Sequence, residues 1–238
     1  MTIFLLILVG MGAGFVQRVT GFGLGIFSML FMPHFLPTHT MAASISNLFS
    51  CGTSTYNAIR FRKSIPFKTI LPPLIAAMIS VPIAVHFTAK ISADLFNIIL
   101  GIVLIGLSLY FLFLDHRIRI RPTVANGLLA GLLSGTLNGL FSTGGPPMVL
   151  YLTHATENKQ TYFSGIQFYF CLTNIYAVLF RILAGTIDLR TLFYTVIGFA
   201  GCMMGNLLGG RVFNKLNDQR LKQIIYIAMI ISGILMIL

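Results

Sequence analysis

Charged residues are scarce in this chain. They make up 9% of its 238 residues, where a soluble domain carries about 25%. Hydrophobic residues account for 56%, and the mean hydropathy is +0.90. So little polar surface cannot coat a soluble fold, which makes lipid the solvent. Acid is scarcer still, with five residues: Asp94, Asp115, Glu157, Asp188 and Asp218. All fall at expected loops or span ends, so no carboxylate sits mid-membrane where proton relays place one. A proton-driven mechanism would then need His86 or a proton carried by the substrate. Cysteine is limited to Cys51, Cys171 and Cys202 in apolar segments. With no C-x-x-C and no Cys/His cluster, neither a disulfide framework nor a metal site is supported, and no cofactor is expected. The histidines, at 34, 39, 86, 116 and 154, mostly lie near span ends. None is spaced with a Cys or an acid for ligation, which leaves an intramembrane enzyme without its nucleophile–base pair.

Long polar stretches are missing too, the longest running around Arg211 to Lys222, so there is no room for a sizeable extramembrane domain. Met1 to Val16 has the apolar character of a signal peptide but lacks a basic start and an A-x-A site, and reads as part of the mature protein. The net charge of +11 raises a nucleic-acid reading. Basic residues that flank membrane spans and hold their orientation account for it better, so the bilayer is the expected partner and nucleic acid is not.

Apolar segments long enough to span, about 17–25 residues, fall near 3–33, 40–59, 67–89, 95–114, 124–154, 161–186, 190–210 and 221–238. The first is interrupted over Gln17-Arg18-Val19-Thr20-Gly21-Phe22-Gly23 and the fifth over Ser142-Thr143-Gly144-Gly145-Pro146-Pro147. Both are too long for one untilted span. Split in two, each half is about 20 Å at 1.5 Å per residue, as in a helical hairpin that enters and leaves on one side. The basic residues favour this. With eight single crossings, Arg60, Arg62, Lys63, Lys68, Arg117, Arg119, Arg121 and Arg190 oppose Lys90, Lys159, Arg211, Lys215, Arg220 and Lys222, a poor fit to the positive-inside rule. With two re-entrant hairpins, only Lys90 and Arg190 oppose all the rest, and both termini lie outside the cytoplasm. Arg18 and Arg181 stand apart as candidates for membrane depth.

The halves also match one another. Thr20-Gly21-Phe22-Gly23 aligns with Thr143-Gly144-Gly145-Pro146, Arg60 with Arg181, Lys68-Thr69 with Arg190-Thr191, and Lys90-Ile91 with Lys215-Leu216. The expected fold is therefore all-α: a polytopic membrane bundle of two inverted repeats, 1–115 and 122–238. Each repeat is a broken, re-entrant hairpin followed by three transmembrane helices, and together they form one membrane transport domain. Matched broken helices in inverted repeats place substrate near the midplane, and irregular backbone at that depth survives only when buried or lining a wet cavity.

Half-helix starts with glycine offer open N–H donors and a positive dipole end, a combination that suits an anion. The expected ligand groups are the backbone N–H groups at Gly21, Phe22 and Gly23 and at Thr143, Gly144 and Gly145. Hydroxyls come from Thr20, Ser142 and Thr143, Pro146 sits in the first turn of the second half-helix, and Arg18 adds positive charge. Gln17, Asn47, Gln167 and Asn174 supply side-chain contacts. On the second segment, positions 46, 50 and 53 share one helical face. The alternative for these polar residues is interhelical hydrogen bonding alone. Arg181, in the apolar run Leu179-Phe180-Arg181-Ile182-Leu183 near a helix end, is expected to snorkel to the interface. Cys51 and Cys171, near-equivalent in the repeats, read as packing residues.

The chain resembles the sulfite exporter family TauE/SafE, also called TSUP. The resemblance covers nearly the whole length. It rests on Gly12-x-Gly14-Phe15 through Thr20-Gly21-Phe22-Gly23-x-Gly25 and on Gly131-x-x-Ser134-Gly135 through Ser142-Thr143-Gly144-Gly145-Pro146. It implies transport of sulfite, sulfonate or a similar small organic anion across a bacterial-type cytoplasmic (inner) membrane. Phe22 and Leu24 depart from the Gly-Gly-Pro-Pro pattern of the second half. Export is the favoured direction, because a negative cytoplasm drives an anion outward. An anion channel of the same architecture and a non-transport assembly subunit are the alternatives, and a homodimer is compatible with the sequence.

Overall fold

The computed structural model describes residues 1–88, 90–110 and 121–212, together with positions 230, 234 and 237. Arg117, Arg119, Lys215, Arg220, Lys222, Asp115, Asp218, His116, the repeat boundary at 115 and nearly all of segment 221–238 lie outside the described residues. The described chain is helical: α1 (Thr2–Thr20), α2 (Leu24–Phe31), α3 (His39–Arg60), α4 (Phe67–Thr88), α5 (Ala93–Leu109), α6 (Val124–Phe141), α7 (Gly145–Ala155), α8 (Lys159–Leu183) and α9 (Leu189–Val212).

Short polar residues start many of these helices, as orphan N–H groups require. Thr38 accepts from the Met41 N–H at 3.2 Å, Thr123 from Asn126 at 3.2 Å, Asn158 from Thr161 at 2.8 Å and Asp188 from Thr191 at 2.7 Å. Helices α1, α4, α6, α8 and α9 are long and apolar enough to cross a membrane. Their outward faces are apolar: Leu71, Ile75, Ile79, Ile83 and Phe87 form an exposed stripe along α4. Polar side chains point inward, the reverse of a soluble fold, as lipid solvation demands. This is a multi-pass membrane bundle.

The two interruptions become breaks between α1 and α2 and between α6 and α7. They are not central. The first arms run 19 and 18 residues, about 28 Å at 1.5 Å per residue, against short second arms. The reason lies in Gln17 and Arg18. Their polar ends find buried partners on α3, so α1 continues through them and stops only at Gly21, whose φ of 86° is left-handed. Gly23 (φ 92°) turns the chain again, and Ser142 (φ 60°) does the same at the second break. The second arm folds back on the first: a Cβ added to Gly12 would lie 2.6 Å from the Phe27 ring.

Packing is mutual between the halves. Helix α1 lies along α9, α4 along α6, and α3 along α8. Small residues allow backbone-to-backbone approach. A Cβ on Gly14 would strike the Cys202 carbonyl, and one on Gly131 the Pro73 carbonyl. Successive contacts make α1 parallel to α9 and α4 parallel to α6, whereas α3 and α8 are antiparallel, with Ser44 at Thr186 and Asn57 at Gln167.

Candidate functional site

The site begins on α3, whose Ser44, Ser46, Asn47, Ser50, Thr53, Ser54 and Asn57 are all buried. Opposite, α8 buries Gln167, Thr173, Asn174 and Arg181. Buried polar groups need partners, and those found here tie both breaks to the α3–α8 pair.

At the first break, Gln167 Nε2 donates to the Gly21 carbonyl at 2.7 Å. Its Oε1 accepts from Gln17 Nε2 and from Asn57 Nδ2, both at 3.3 Å. Thr53 Oγ1 donates to Gln17 Oε1 at 2.6 Å. The Thr20 hydroxyl lies 2.6 Å from the Phe22 carbonyl and 2.9 Å from that of Val16, and accepts the Phe22 N–H at 3.3 Å. The Gly21 N–H donates to the Gln17 carbonyl at 2.8 Å. The N–H groups of Gly21 and Phe22 are therefore engaged in shaping the turn rather than open to a ligand.

At the second break, Asn47 Nδ2 reaches Ser142 Oγ at 2.9 Å, Asn174 Oδ1 at 3.0 Å and Asn138 Oδ1 at 3.1 Å. Asn174 Nδ2 donates to Ser50 Oγ at 2.8 Å. The Thr143 N–H donates to the Leu137 carbonyl at 3.3 Å, and Ser134 Oγ donates to the Gly144 carbonyl. Each break is thus touched by an amide from the other half: Gln167 at the first and Asn47 at the second.

The breaks also touch each other. A Cβ on Gly25 would overlap the Ser142 carbonyl, and one on Gly145 would lie 3.0 Å from the Phe22 ring. Between them is a cavity of about 20 Å³, room for about one water. Gln17, Phe22, Gly23, Ser142, Thr143, Gly144, Gly145 and Asn174 line it, with Leu24, Gly25, Ser50 and Asn138. Two lining groups, Asn138 Nδ2 and Thr143 Oγ1, are buried without a protein hydrogen-bond partner. Of the other expected site residues, Thr20 and Gly21 shape the first turn, while Asn47 and Gln167 bond to lining residues. Pro146 is buried at the start of α7.

Arg18 lies elsewhere. Its Nη1 donates to Asn57 Oδ1 at 2.8 Å, and its guanidinium lies 4.9 Å from the Phe61 ring centre and 5.1 Å from that of Phe163. It lines a separate cavity of about 280 Å³ with Tyr56, Arg60, Asn206, Leu207, Gly210 and Arg211. Arg181 does not snorkel. It is 0% exposed, with Nε donating to Asn47 Oδ1 at 2.6 Å and Nη2 to the Gly139 carbonyl at 2.7 Å. Its side chain turns inward because Asn47 and Gly139 offer acceptors where the interface would offer headgroups. Cys51 and Cys171 are free thiols, and neither lines the cavity.

Sequence reasoning missed Asn138, Asn57 and Arg181. Asn138 carried a signal, since it is an amide one turn before the second break. Asn57 carried none, because its partners are far off in the chain, and Arg181, a candidate for membrane depth, was expected at the interface instead.

A family profile described as "Sulfite exporter TauE/SafE" matches residues 6–236. A curated protein of Cupriavidus necator, named "Probable sulfite/organosulfonate exporter TauE", is 24% identical over 207 residues, covering 84% of this chain and 80% of that protein. No solved structure matches the chain.

Proposed function

The chain belongs to the sulfite exporter TauE/SafE family, and from that premise we propose that it carries a small sulfur-containing anion, sulfite or an organosulfonate, outward by alternating access around the cavity between the breaks. The observation that carries this reading is the donor-rich meeting point of the two breaks. Asn138 Nδ2 and Thr143 Oγ1 lie there buried without protein partners, and the first turns of α2 and α7 supply Leu24, Gly25 and Gly145 to the lining. Two helix starts at one place favour negative charge, and among the described residues no carboxylate lines the cavity. The substrate named for the Cupriavidus relative has this character.

The size of the cavity favours a carrier over an open channel. A space of about 20 Å³ admits about one water, so an anion enters and leaves only when the surrounding helices move. The mutual packing of the halves and the opposed directions of α3 and α8 support two inverted repeats that move against each other. The exposed Arg60, Arg62, Lys63, Lys68, Lys159 and Arg211 gather at one end of the bundle, which the positive-inside rule makes cytoplasmic. The membrane is then the cytoplasmic (inner) membrane, with an outside N-terminus. A negative cytoplasm contributes about 2.3 kcal/mol per charge per 100 mV to outward movement of an anion.

Purified protein in liposomes with an imposed potential tests this. Saturable sulfite or sulfonate flux driven toward the positive side is expected. Absence of flux for sulfite, sulfonates and small carboxylates would overturn it, and unitary conductance steps would replace the carrier with a channel.

A further inference from the structure

We propose that Arg181 is the counter-charge of the transported anion, and that a site compensated by this one buried charge takes a monoanion, an organosulfonate or hydrogensulfite, in preference to a dianion such as sulfate. The inference rests on the transport reading above and names the charge of its substrate. Arg181 sits in the last turn of α8 at 0% exposure. Its hydrogen-bond acceptors are an amide oxygen and a backbone carbonyl, both neutral, and its Nη1 has no partner. Arginine keeps its proton in proteins, and a buried charge without an opposite charge is strongly destabilising. Among the described residues, the fold therefore holds a fixed positive charge with no acidic partner.

The charge is directed at the cavity. By donating to Asn47 Oδ1 at 2.6 Å, Arg181 fixes which way that amide points. Asn47 Nδ2 then faces Asn138, Ser142 and Asn174, all of which line the cavity. One side chain separates the guanidinium from three lining residues. Arg18 is more remote: its bond to Asn57 connects to the lining residue Gln17 by way of Gln167. Beside a single charge, a monoanion leaves a neutral pair in the low dielectric, whereas a dianion leaves a net buried charge and its desolvation cost. Arg181 acts through Asn47, as a positioning and charge-selecting residue.

The test uses the full chain, purified in detergent and reconstituted in liposomes. Thermal shift and flux are measured with methanesulfonate, sulfate and sulfite at one pH and one ionic strength, for wild type, Arg181→Lys and Arg181→Gln. Wild type is expected to respond to methanesulfonate at concentrations well below those needed for sulfate. Arg181→Gln is expected to lose methanesulfonate affinity by about thirtyfold or more, the lower bound for removing one partner of a buried charge pair. Arg181→Lys, which keeps the charge, recovers part of the loss. A wild type that prefers sulfate overturns the inference, and this comparison still decides if Arg181→Gln does not fold. An Arg181→Gln protein that binds sulfite or methanesulfonate like wild type overturns the inference alone and leaves transport standing. A wild type that responds to none of the three anions overturns the transport reading and the inference with it.

Discussion

Asn47 joins more of the site than any neighbouring side chain. It accepts from Arg181 and faces Ser142, Asn138 and Asn174 at once, so its loss strands a buried guanidinium as well as neutral groups. Asn47→Ala is expected to lower stability by about 3 kcal/mol, since an unsatisfied buried group costs about 1–3 kcal/mol and a charged one more, as read by denaturation in detergent. Asn47→Asp separates charge from shape. It places a carboxylate against Arg181, at the expense of the bonds that the amide donated to Asn138, Ser142 and Asn174, so anion flux should be lost while the guanidinium stays paired, because the counter-charge is now internal. Retained flux in Asn47→Asp would show that the guanidinium has no part in binding. Asp188 illustrates a different residue-level effect, far from the site. The Thr191 hydroxyl and N–H both donate to its Oδ1, at 2.6 and 2.7 Å, and hold the carboxyl below its usual range. A lowered folded pKa means that the contribution is complete above the unfolded value of about 3.9 and disappears as pH falls through the folded one. Asp188→Ala should therefore melt below wild type at pH 7, and the gap should close in acid.

At the scale of elements, the contact between breaks is the feature most open to test. Gly25 lies in the first turn of α2, where an added Cβ would overlap the Ser142 carbonyl. Backbone atoms cannot rotate away as a side-chain tip can, so Gly25→Ala must push the two half-helices apart. Overpacking of this kind costs about 1–3 kcal/mol, and flux should fall with it. Gly106 in α5 has nothing among the described residues within 4 Å of the same added atom, and Gly106→Ala should be neutral or slightly stabilising. The breaks themselves were readable in the sequence, because glycine and proline punctuate an apolar run wherever it occurs. Their placement was less readable. Gln17 and Arg18 look like interruptions until Thr53, donating to Gln17, and Asn57, accepting from Arg18, are seen to let α1 run on through them. Arg181 was misread for the same reason: an arginine in an apolar run near a helix end points to the interface, and its partner Asn47 is 134 residues away. Local pattern reports periodicity and punctuation, whereas a buried polar network is a property of which helices meet.

At the scale of the whole molecule, packing sorts the described basic residues between two ends. Phe61 meets Phe163 with ring centres 5.2 Å apart, and Ser164 Oγ donates to the Ser64 carbonyl at 2.6 Å, so the start of α8 lies beside the end of α3. Arg60 and Arg211 share a cavity there. Lys63 and Lys159 are exposed at this end. At the other end, Thr88 reaches the Gly139 carbonyl and Ser44 reaches Thr186, which places Lys90 and Arg190 at that end, away from the basic cluster. If the basic end is cytoplasmic, single cysteines should report it once Cys51, Cys171 and Cys202 are replaced by alanine. A membrane-impermeant maleimide should label Lys90→Cys and Arg190→Cys in intact cells, and Lys63→Cys and Lys159→Cys only in inside-out vesicles. The reverse pattern would turn the bundle over and put the basic cluster outside, while the potential would still drive an anion outward. Labelling of Lys63→Cys and Arg190→Cys from one side would place α3–α4 and α8–α9 at the same face. That result would remove the opposed orientation on which movement of one half against the other depends.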